Sequence, residues 1–169
     1  MTVLPIAERW FDRRVVDDSV TLLWEPHVIE LMRCNIWHVR GRDRDLVIDT
    51  GMGVLSLVDE LGALIERPIT AVATHGHDDH IGSHHEFADV VAHTLEAPLL
   101  EDPPLDSLSP LEAWGADALD DLGRAGYPMR APYFVDALPA GYALESFRQL
   151  PARVSRRVVR VGRWSGAAM

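Results

Sequence analysis

The sequence predicts an α/β fold in which a mixed β-sheet is flanked by helices. Short runs rich in β-branched and other apolar residues recur between residues 20 and 93, and such runs are typical of strands. Segments with apolar residues at helical spacing lie between some of these runs. Alternating strands and helices favour a layered domain, and a chain of 169 residues is long enough to bury one core.

The first part of the chain predicts a meander of strands followed by a helix. Strands are expected at residues 20–24, 35–39 and 45–49. A polar turn at residues 41–44 separates the last two strands. Apolar side chains then recur at helical spacing between residues 54 and 65, which predicts a helix that Pro68 closes.

A cluster of histidines follows the next predicted strand. The apolar run at residues 69–74 has the composition of a strand and leads directly into His75. A short helix is expected at residues 83–87, and another apolar strand at residues 89–93. The four prolines of residues 97–110 predict a loop.

A capping box begins the last predicted helix. Ser109 precedes Pro110 at the first helical position, and Glu112 follows three residues after the serine. We expect this helix to end near Gly123 and to bury an apolar face formed by Leu111, Trp114, Ala118 and Leu122. From Tyr127 onward, prolines interrupt a stretch without clear periodicity.

The charge of the chain is unevenly distributed. All 26 acidic residues and ten of the sixteen basic residues lie at or before Glu145, so residues 1–145 carry a net charge of −16. The last 24 residues contain six arginines and no acidic residue. We therefore predict one domain over residues 1–152 and an atypical Arg-rich tail over residues 153–169. We expect this tail to be a frameshifted or prematurely ended reading, poorly ordered or an edge strand. A genuine basic strand is the alternative.

Composition also limits the partners and the location. A net charge of −10 argues against nucleic acid, because phosphates would be repelled by most of the surface. No apolar run approaches the length of a membrane span, so no membrane partner is expected. Charged residues between Glu8 and Arg14 argue against a secretory signal and make the cytoplasm the expected location. Cys34, the single cysteine, is expected to be a buried apolar residue, with a ligand role as the alternative.

Five side chains able to bind metal fall within the six residues from His75 to His80. His75 and His77 are two residues apart at a strand end, which is expected to place both imidazoles on one side. Gly76 between them leaves room for a metal. Asp79 and His80 are expected to face a second ion. Imidazole and carboxylate ligands suit borderline cations, and zinc is the first choice.

Other roles are open to the residues of this region. The cluster could be a solvated loop, and Asp78 or Asp79 could cap a helix that follows Ile81. A capping role does not require three histidines, so metal binding is the stronger hypothesis. The remaining histidines are expected to be packing or surface residues, namely His27, His38, His84, His85 and His93.

Two motifs carry a resemblance to a known family. The first resembles the T-H-x-H-x-D-H-x-G signature of the metallo-β-lactamase superfamily, including glyoxalase II-like and lactonase-like members: Thr74-His75-Gly76-His77-Asp78-Asp79-His80-Ile81-Gly82. The second resembles the family's strand that ends in Asp-Thr-Gly: Leu46-Val47-Ile48-Asp49-Thr50-Gly51. The resemblance covers about residues 18–100. It implies that this region is the N-terminal half of an αββα sandwich.

The resemblance implies a dinuclear zinc hydrolase that acts on an ester, thioester, lactone or related bond of a small molecule. His75 and His77 would bind the first ion, and Asp79 and His80 the second, with iron or manganese as alternative metals. Asp79 would also accept or pass on a proton. Asp49 would orient a ligand histidine, although a turn at a strand end is an equal explanation for this aspartate. Homo-oligomerisation is left open.

The chain departs from the family in its second half. The resemblance requires two further histidines and a bridging aspartate there, whereas no histidine follows His93 and no aspartate follows Asp136. A catalytic zinc normally has three protein ligands and a water, so both ions would lack ligands. We therefore expect a truncated hydrolase that binds metal weakly and has little activity. The alternatives are a degenerate, non-catalytic metal-binding module and an iron-dependent oxidoreductase on the same fold.

Overall fold

The structure of the protein is a computed structural model that describes residues 4–62 and 64–159. Its strands are β1 (Ile6–Ala7), β2 (Asp12–Val15), β3 (Val20–Trp24), β4 (Ile36–Val39), β5 (Asp45–Ile48), β6 (Ile69–Val72), β7 (Val90–His93), β8 (Leu138–Pro139) and β9 (Arg156–Val158). Its α-helices are α1 (Leu57–Leu61), α2 (Asp78–Ile81), α3 (Ala97–Glu101) and α4 (Pro110–Arg124). Single 3₁₀ turns lie at Glu30–Met32, His84–Glu86 and Leu144–Ser146.

A mixed sheet with the strand order β2-β3-β4-β5-β6-β7-β9 organises the described residues. The strands from β2 to β5 pair antiparallel; β3, β4 and β5 form the predicted meander, and β2 is an additional edge strand that was not predicted. From β5 onward, β6, β7 and β9 add in parallel. A parallel pair needs a crossover connection, and α1 lies between β5 and β6 while α2 lies between β6 and β7. The predicted α/β fold with a mixed sheet is confirmed.

The core forms on the buried side chains of the central strands, and β4, β5 and β7 alternate between buried and partly exposed residues. Each strand from β3 to β7 contributes at least one side chain with no exposed surface: Leu23, Ile36, Val47, Ala71 and Val90. The helices add Leu57 and Leu61 from α1 and Leu100 from α3, and these side chains are also buried. Burial of apolar surface is the dominant favourable contribution to folding, so this cluster holds the loops at the ends of the strands in place.

Several predicted helices differ from the observed ones. The helix predicted between residues 54 and 65 is shorter, since α1 spans Leu57–Leu61 and begins at Ser56, whose side chain accepts a hydrogen bond from the Asp59 backbone. The helix predicted at residues 83–87 is a 3₁₀ turn that follows α2. The loop predicted at residues 97–110 was wrong at its start, because α3 occupies its first five positions, whereas residues 102–109 are irregular. Pro98 lies in the first turn of α3, where a missing backbone N–H costs no helical hydrogen bond.

Helix α4 begins and ends as predicted but does not bury the predicted apolar face. Its cap is Ser109, whose side chain accepts a hydrogen bond from the Glu112 backbone. Leu111 is 61% exposed, contrary to prediction. Gly115 has a φ of 78°, which interrupts the helix, so the residues on either side do not share one continuous helical face. Trp114 is partly buried and packs on Phe134 at a ring-centroid distance of 4.7 Å.

Part of the predicted Arg-rich tail lies at the edge of the sheet. The backbone of β9 pairs with β7, and Ser155 donates a side-chain hydrogen bond to Asp89. Arg157 contacts both carboxylate oxygens of Glu101 at 2.6 Å. Residues 160–169 lie outside the described residues, and the domain boundary after residue 152 stays a prediction. Among the described residues, no helix has the length and apolar character needed to cross a bilayer.

Candidate metal centre

The histidine cluster lies at the sheet edge where the parallel strands β5, β6 and β7 end. The chain leaves β5 at Asp49, leaves β6 just before Thr74, and leaves β7 just before the turn that contains Glu96. Parallel strands bring their carboxyl ends to the same edge, and ligands of open α/β sheets bind there. The fold therefore gathers residues from three separate segments around the loop between β6 and α2.

Three imidazole rings are close together in this loop. The His75 ring lies 4.5 Å from that of His77 and 4.1 Å from that of His80, measured between centroids. Strand alternation is not the reason, since β6 ends at Val72 and the two histidines lie beyond it. The rings meet because His75 and His77 are in the loop and His80 is in α2, which folds back toward them.

Asp49 holds this loop to the end of β5. One carboxylate oxygen accepts the Thr74 backbone N–H at 2.8 Å, and the other accepts the Thr74 hydroxyl at 2.7 Å. The second oxygen also lies 2.8 Å from Nδ1 of His80. Asp49 is buried and has a φ of 59°, a conformation in which aspartate is tolerated better than most residues. The same side chain thus fixes both ends of the histidine segment.

The contact with Asp49 leaves the other nitrogen of His80 on the side of Asp79. Nε2 of His80 lies 3.3 Å from an Asp79 carboxylate oxygen. Burial alone would lower the pKa of His80, but its bonds to Asp49 and Asp79 outweigh that effect and raise this pKa to about 9. Burial lowers the pKa of His75, as do the charges of His80 and His77. A metal ligand must be a neutral imidazole, so metal binding would have to displace a proton from His80.

The chemistry of these side chains fits a metal ion, but their arrangement is incomplete. Imidazole nitrogens and a carboxylate oxygen are ligands of zinc. Across residues 4–62 and 64–159, however, no group of three or more histidine, cysteine, aspartate or glutamate side chains is arranged to hold one ion. How His75, His77, Asp79 and His80 would divide between two ions stays a prediction.

Helix capping does not explain the acidic residues of the cluster. The N-cap position of α2 is His77, whose side chain makes no capping hydrogen bond. Asp78 and Asp79 lie in the first helical turn after it. Burial raises the pKa of Asp78, against the opposing effect of the Trp114 side chain.

The other histidines and the cysteine have contacts of their own. His38 is buried beside Asp45, with Nε2 at 3.1 Å from a carboxylate oxygen. His84 is buried with Nδ1 at 2.7 Å from the Thr50 hydroxyl. His27 lies 3.0 Å from Asp136 at the surface. Cys34 is buried, as predicted, and burial raises the pKa of its thiol far above its usual range.

Sequence reasoning missed three polar residues that support this region. Glu96 accepts the Gly76 backbone N–H at 2.7 Å. Glu25, almost fully buried, accepts the Met52 backbone N–H at 2.7 Å. Gln149 donates from its side chain to the Asp78 carbonyl at 2.6 Å. Each lies in a segment without a recognisable motif, so no sequence signal marked it.

Comparison with known proteins gives relatives for part of the chain. A curated protein from Gallus gallus, named acyl-coenzyme A thioesterase MBLAC2, is 41% identical over 103 residues, which is 56% of this chain and 37% of that protein. The human protein of the same name is 38% identical over 106 residues, covering 56% of this chain and 38% of that protein. The chain thus matches little more than a third of the length of these relatives.

Solved structures with a similar arrangement include two metallo-β-lactamases. One, from Hirschia baltica, has a TM-score of 0.45 and 18% identity, covering 54% of this chain and 47% of that chain. The other, from Pseudomonas aeruginosa in its mono-zinc form, has a TM-score of 0.44 and 18% identity, covering 57% of this chain and 46% of that chain. Residues 29–142 match the sequence pattern of the metallo-beta-lactamase superfamily, and the chain belongs to this superfamily.

Proposed function

We propose that this chain supplies two protein ligands to each ion of a dinuclear zinc centre and that this centre hydrolyses thioesters. His75 and His77 would hold one ion, and Asp79 and His80 the other. The observation that carries the proposal is that the His77 and His80 rings both lie within 4.5 Å of the His75 ring, beside a buried aspartate that contacts His80. A solvated loop would not require a buried Asp49, because burying a charge is costly unless it is paired.

The chain's own residues orient the donors and handle protons. A bound zinc ion would lower the pKa of a water molecule and polarise the scissile carbonyl. Asp49 contacts Nδ1 of His80 and so leaves Nε2 on the side of Asp79. A neighbouring carboxylate commonly fixes a ligand histidine in this way. Asp79, beside that nitrogen, would accept a proton from the attacking water and deliver it to the leaving thiolate.

The thioester class comes from the relatives, whose printed name is acyl-coenzyme A thioesterase. An identity of about 40% over more than half of this chain supports the same class of substrate here. Because the chain spans only 37% to 38% of their length, this transfer is a proposal.

Hydrolysis of an acyl-coenzyme A series, with zinc added or chelated, tests this proposal. Released thiol is followed with a thiol-specific chromogen. The assay suits this chain because its one cysteine, Cys34, is buried and reacts slowly under native conditions. We expect slow hydrolysis that needs zinc, since two ligands per ion leave the centre loosely held. Thiol release that is the same with and without chelator would contradict a zinc-dependent reaction. No thiol release under either condition would contradict thioester hydrolysis by this chain.

Variants of the proposed ligands test the metal centre separately. His77→Ala and Asp79→Ala are each expected to lower the zinc retained after dialysis. His27→Ala is the matched control, because His27 contacts Asp136 and lies against Trp10 instead of the cluster. His84 is unsuitable as a control, since it is fully buried and its loss would disturb folding. Equal zinc loss in the His27 variant would remove the support for the four ligands.

A non-catalytic metal-binding module is the second candidate. The observation that favours it is that no three donor side chains of the described residues are arranged around one ion. Zinc that is retained through His77 and Asp79 while every thioester remains intact would select this candidate. Iron in place of zinc in the purified chain would instead support the oxidoreductase alternative.

A further inference from the structure

We propose that Glu96 is a positioning residue of the metal centre, which sets the spacing of His75 and His77 through the backbone between them. The proposal rests on the metal centre proposed above. Oε2 of Glu96 accepts the N–H of Gly76 at 2.7 Å, and Gly76 is the one residue between the two histidines. Glu96 itself would not bind the ion.

The position of Glu96 follows from the sheet. β7 runs parallel to β6, so the chain leaves both strands at the same edge. A tight turn then fixes the Glu96 backbone, because its N–H bonds the His93 carbonyl at 3.0 Å and its carbonyl accepts the Leu99 N–H at 3.0 Å. Its carboxylate is therefore presented from a restrained backbone, and the contact with Gly76 is long-range in sequence.

Leu99 completes the surface against which Gly76 lies. A Cβ atom built on Gly76 would be 2.9 Å from Cβ of Leu99 and 3.0 Å from Oε2 of Glu96. Glu96 and Leu99 are three residues apart and share one side of the turn that begins α3. The histidine loop thus contacts this turn closely at the residue that lacks a side chain, and a larger residue there would require Leu99 or Glu96 to move.

A hydrogen bond at this point has a larger effect than it would elsewhere in the loop. Glycine has the widest range of backbone conformations of any residue, so an unrestrained Gly76 would let the two imidazoles separate. Hydrogen bonds to a carboxylate are shorter and about twice as strong as neutral ones. Residues that hold metal ligands in place typically contribute about 10- to 100-fold to metal affinity.

The test compares Glu96→Ala, Glu96→Gln and Glu96→Asp in the full 169-residue chain. Zinc affinity is measured by competition with a chromogenic chelator, and hydrogen exchange of the Gly76 amide is measured by NMR without metal. In Glu96→Ala we expect zinc affinity to fall about 10- to 100-fold and the Gly76 amide to exchange faster. Glu96→Gln should restore most of both, because its amide oxygen can accept the same bond, although without the charge. Glu96→Asp keeps the charge but is too short to reach, so it should resemble Glu96→Ala.

Glu101→Ala is the matched control, since Glu101 is in α3 but pairs with Arg157 instead of Gly76. It should leave zinc affinity and Gly76 exchange unchanged. Unchanged zinc affinity in Glu96→Ala would overturn the proposal, as would a Glu96→Gln variant that behaves like Glu96→Ala. If Glu96→Ala does not fold, the Gln and Asp variants still decide between the bond and the charge. Failure of the metal centre itself would look different, because the wild-type chain would then bind no zinc.

Discussion

Gly82→Ala tests how tightly the end of α2 packs against the loop that follows β5. A Cβ atom built on Gly82 would be 2.1 Å from the carbonyl carbon of Met52, 2.2 Å from its oxygen and 2.4 Å from the nitrogen of Gly53. These are backbone atoms, so no side-chain rotation can relieve the contact. The φ of Gly82 is −57°, an ordinary helical value, and any effect of the substitution would therefore come from steric overlap alone.

The expected cost follows from what must move. Overpacking a buried site costs about 1–3 kcal/mol, and a clash with backbone places this site at about 3 kcal/mol. The loop at Met52 would have to withdraw, which would also break the hydrogen bond from the Gly82 N–H to the Gly51 carbonyl. Since that loop adjoins Asp49, the variant should retain less zinc as well.

Gly123→Ala provides a control of opposite sign. Gly123 is inside α4, and nothing lies within 4 Å of a Cβ built there. Alanine is favoured over glycine in a helix by about 1 kcal/mol, so this variant should be more stable than the wild type. Urea unfolding with a chelator present measures both free energies without a contribution from metal. Equal stability of the Gly82 variant and the wild type would refute the close packing described here.

Substitutions at Asp49, Glu25 and Leu23 test other parts of the structure. Asp49→Ala should weaken zinc binding about 10- to 100-fold, and unchanged affinity by chelator competition would show that Asp49 does not orient His80. Burial raises the pKa of Glu25 from 4.5 to about 7, against the opposing bonds from Met52 and Trp10. The folded state therefore holds this proton more tightly, and its stabilisation is complete below pH 4.5 and lost as the pH rises through 7. The loss amounts to about 3 kcal/mol, and chemical unfolding of Glu25→Gln without metal should lack this fall between those pH values. Leu23→Ala should cost about 2–5 kcal/mol, whereas Leu111→Ala, at an exposed position, should change stability by less than about 0.5 kcal/mol.

The strands were predictable because their pattern is local. The β-branched and aromatic residues of 20–24 predicted a strand, and β3 has those bounds. The apolar runs before Asp49 and Thr74 gave β5 and β6 for the same reason. Strand pairing is not local, and the parallel addition of β9 to β7 depends on residues more than sixty positions apart. The charge distribution predicted that residues 153–169 form a tail apart from the domain, although the fold pairs residues 156–158 with β7.

The helices were predicted less well because short helices depend on tertiary contacts. α3 has five residues and a proline in its first turn, so its sequence alone resembles a loop. It is stabilised by burial of Leu100 and by contact with the histidine loop. In α4, the residues after Gly115 no longer continue the face on which Leu111 lies, because one left-handed residue rotates the remainder of the helix.

The candidate ligands could be named from sequence, but the residues that support them could not. A ligand motif is contiguous, whereas the bonds that hold it come from Asp49, Glu96 and Gln149 at the ends of different segments. Only Asp49 adjoins a motif, and its turn-like alternative is consistent with its positive φ. The structure therefore shows both properties in one residue: it makes the turn and binds His80.

Gln149 lies outside any recognisable motif but makes buried hydrogen bonds. It lies in an extended segment in which Phe147 and Gln149 are buried while Arg148 and Leu150 are exposed, a period of two without a neighbouring strand. Its side chain donates to the carbonyls of Met52 and Asp78, at 3.2 Å and 2.6 Å, and so joins the two loops that also meet at Gly82. Buried carbonyl groups need such partners. This segment lies beyond residue 142, where the superfamily match ends, so support for the candidate centre extends past the part of the chain that identifies the family.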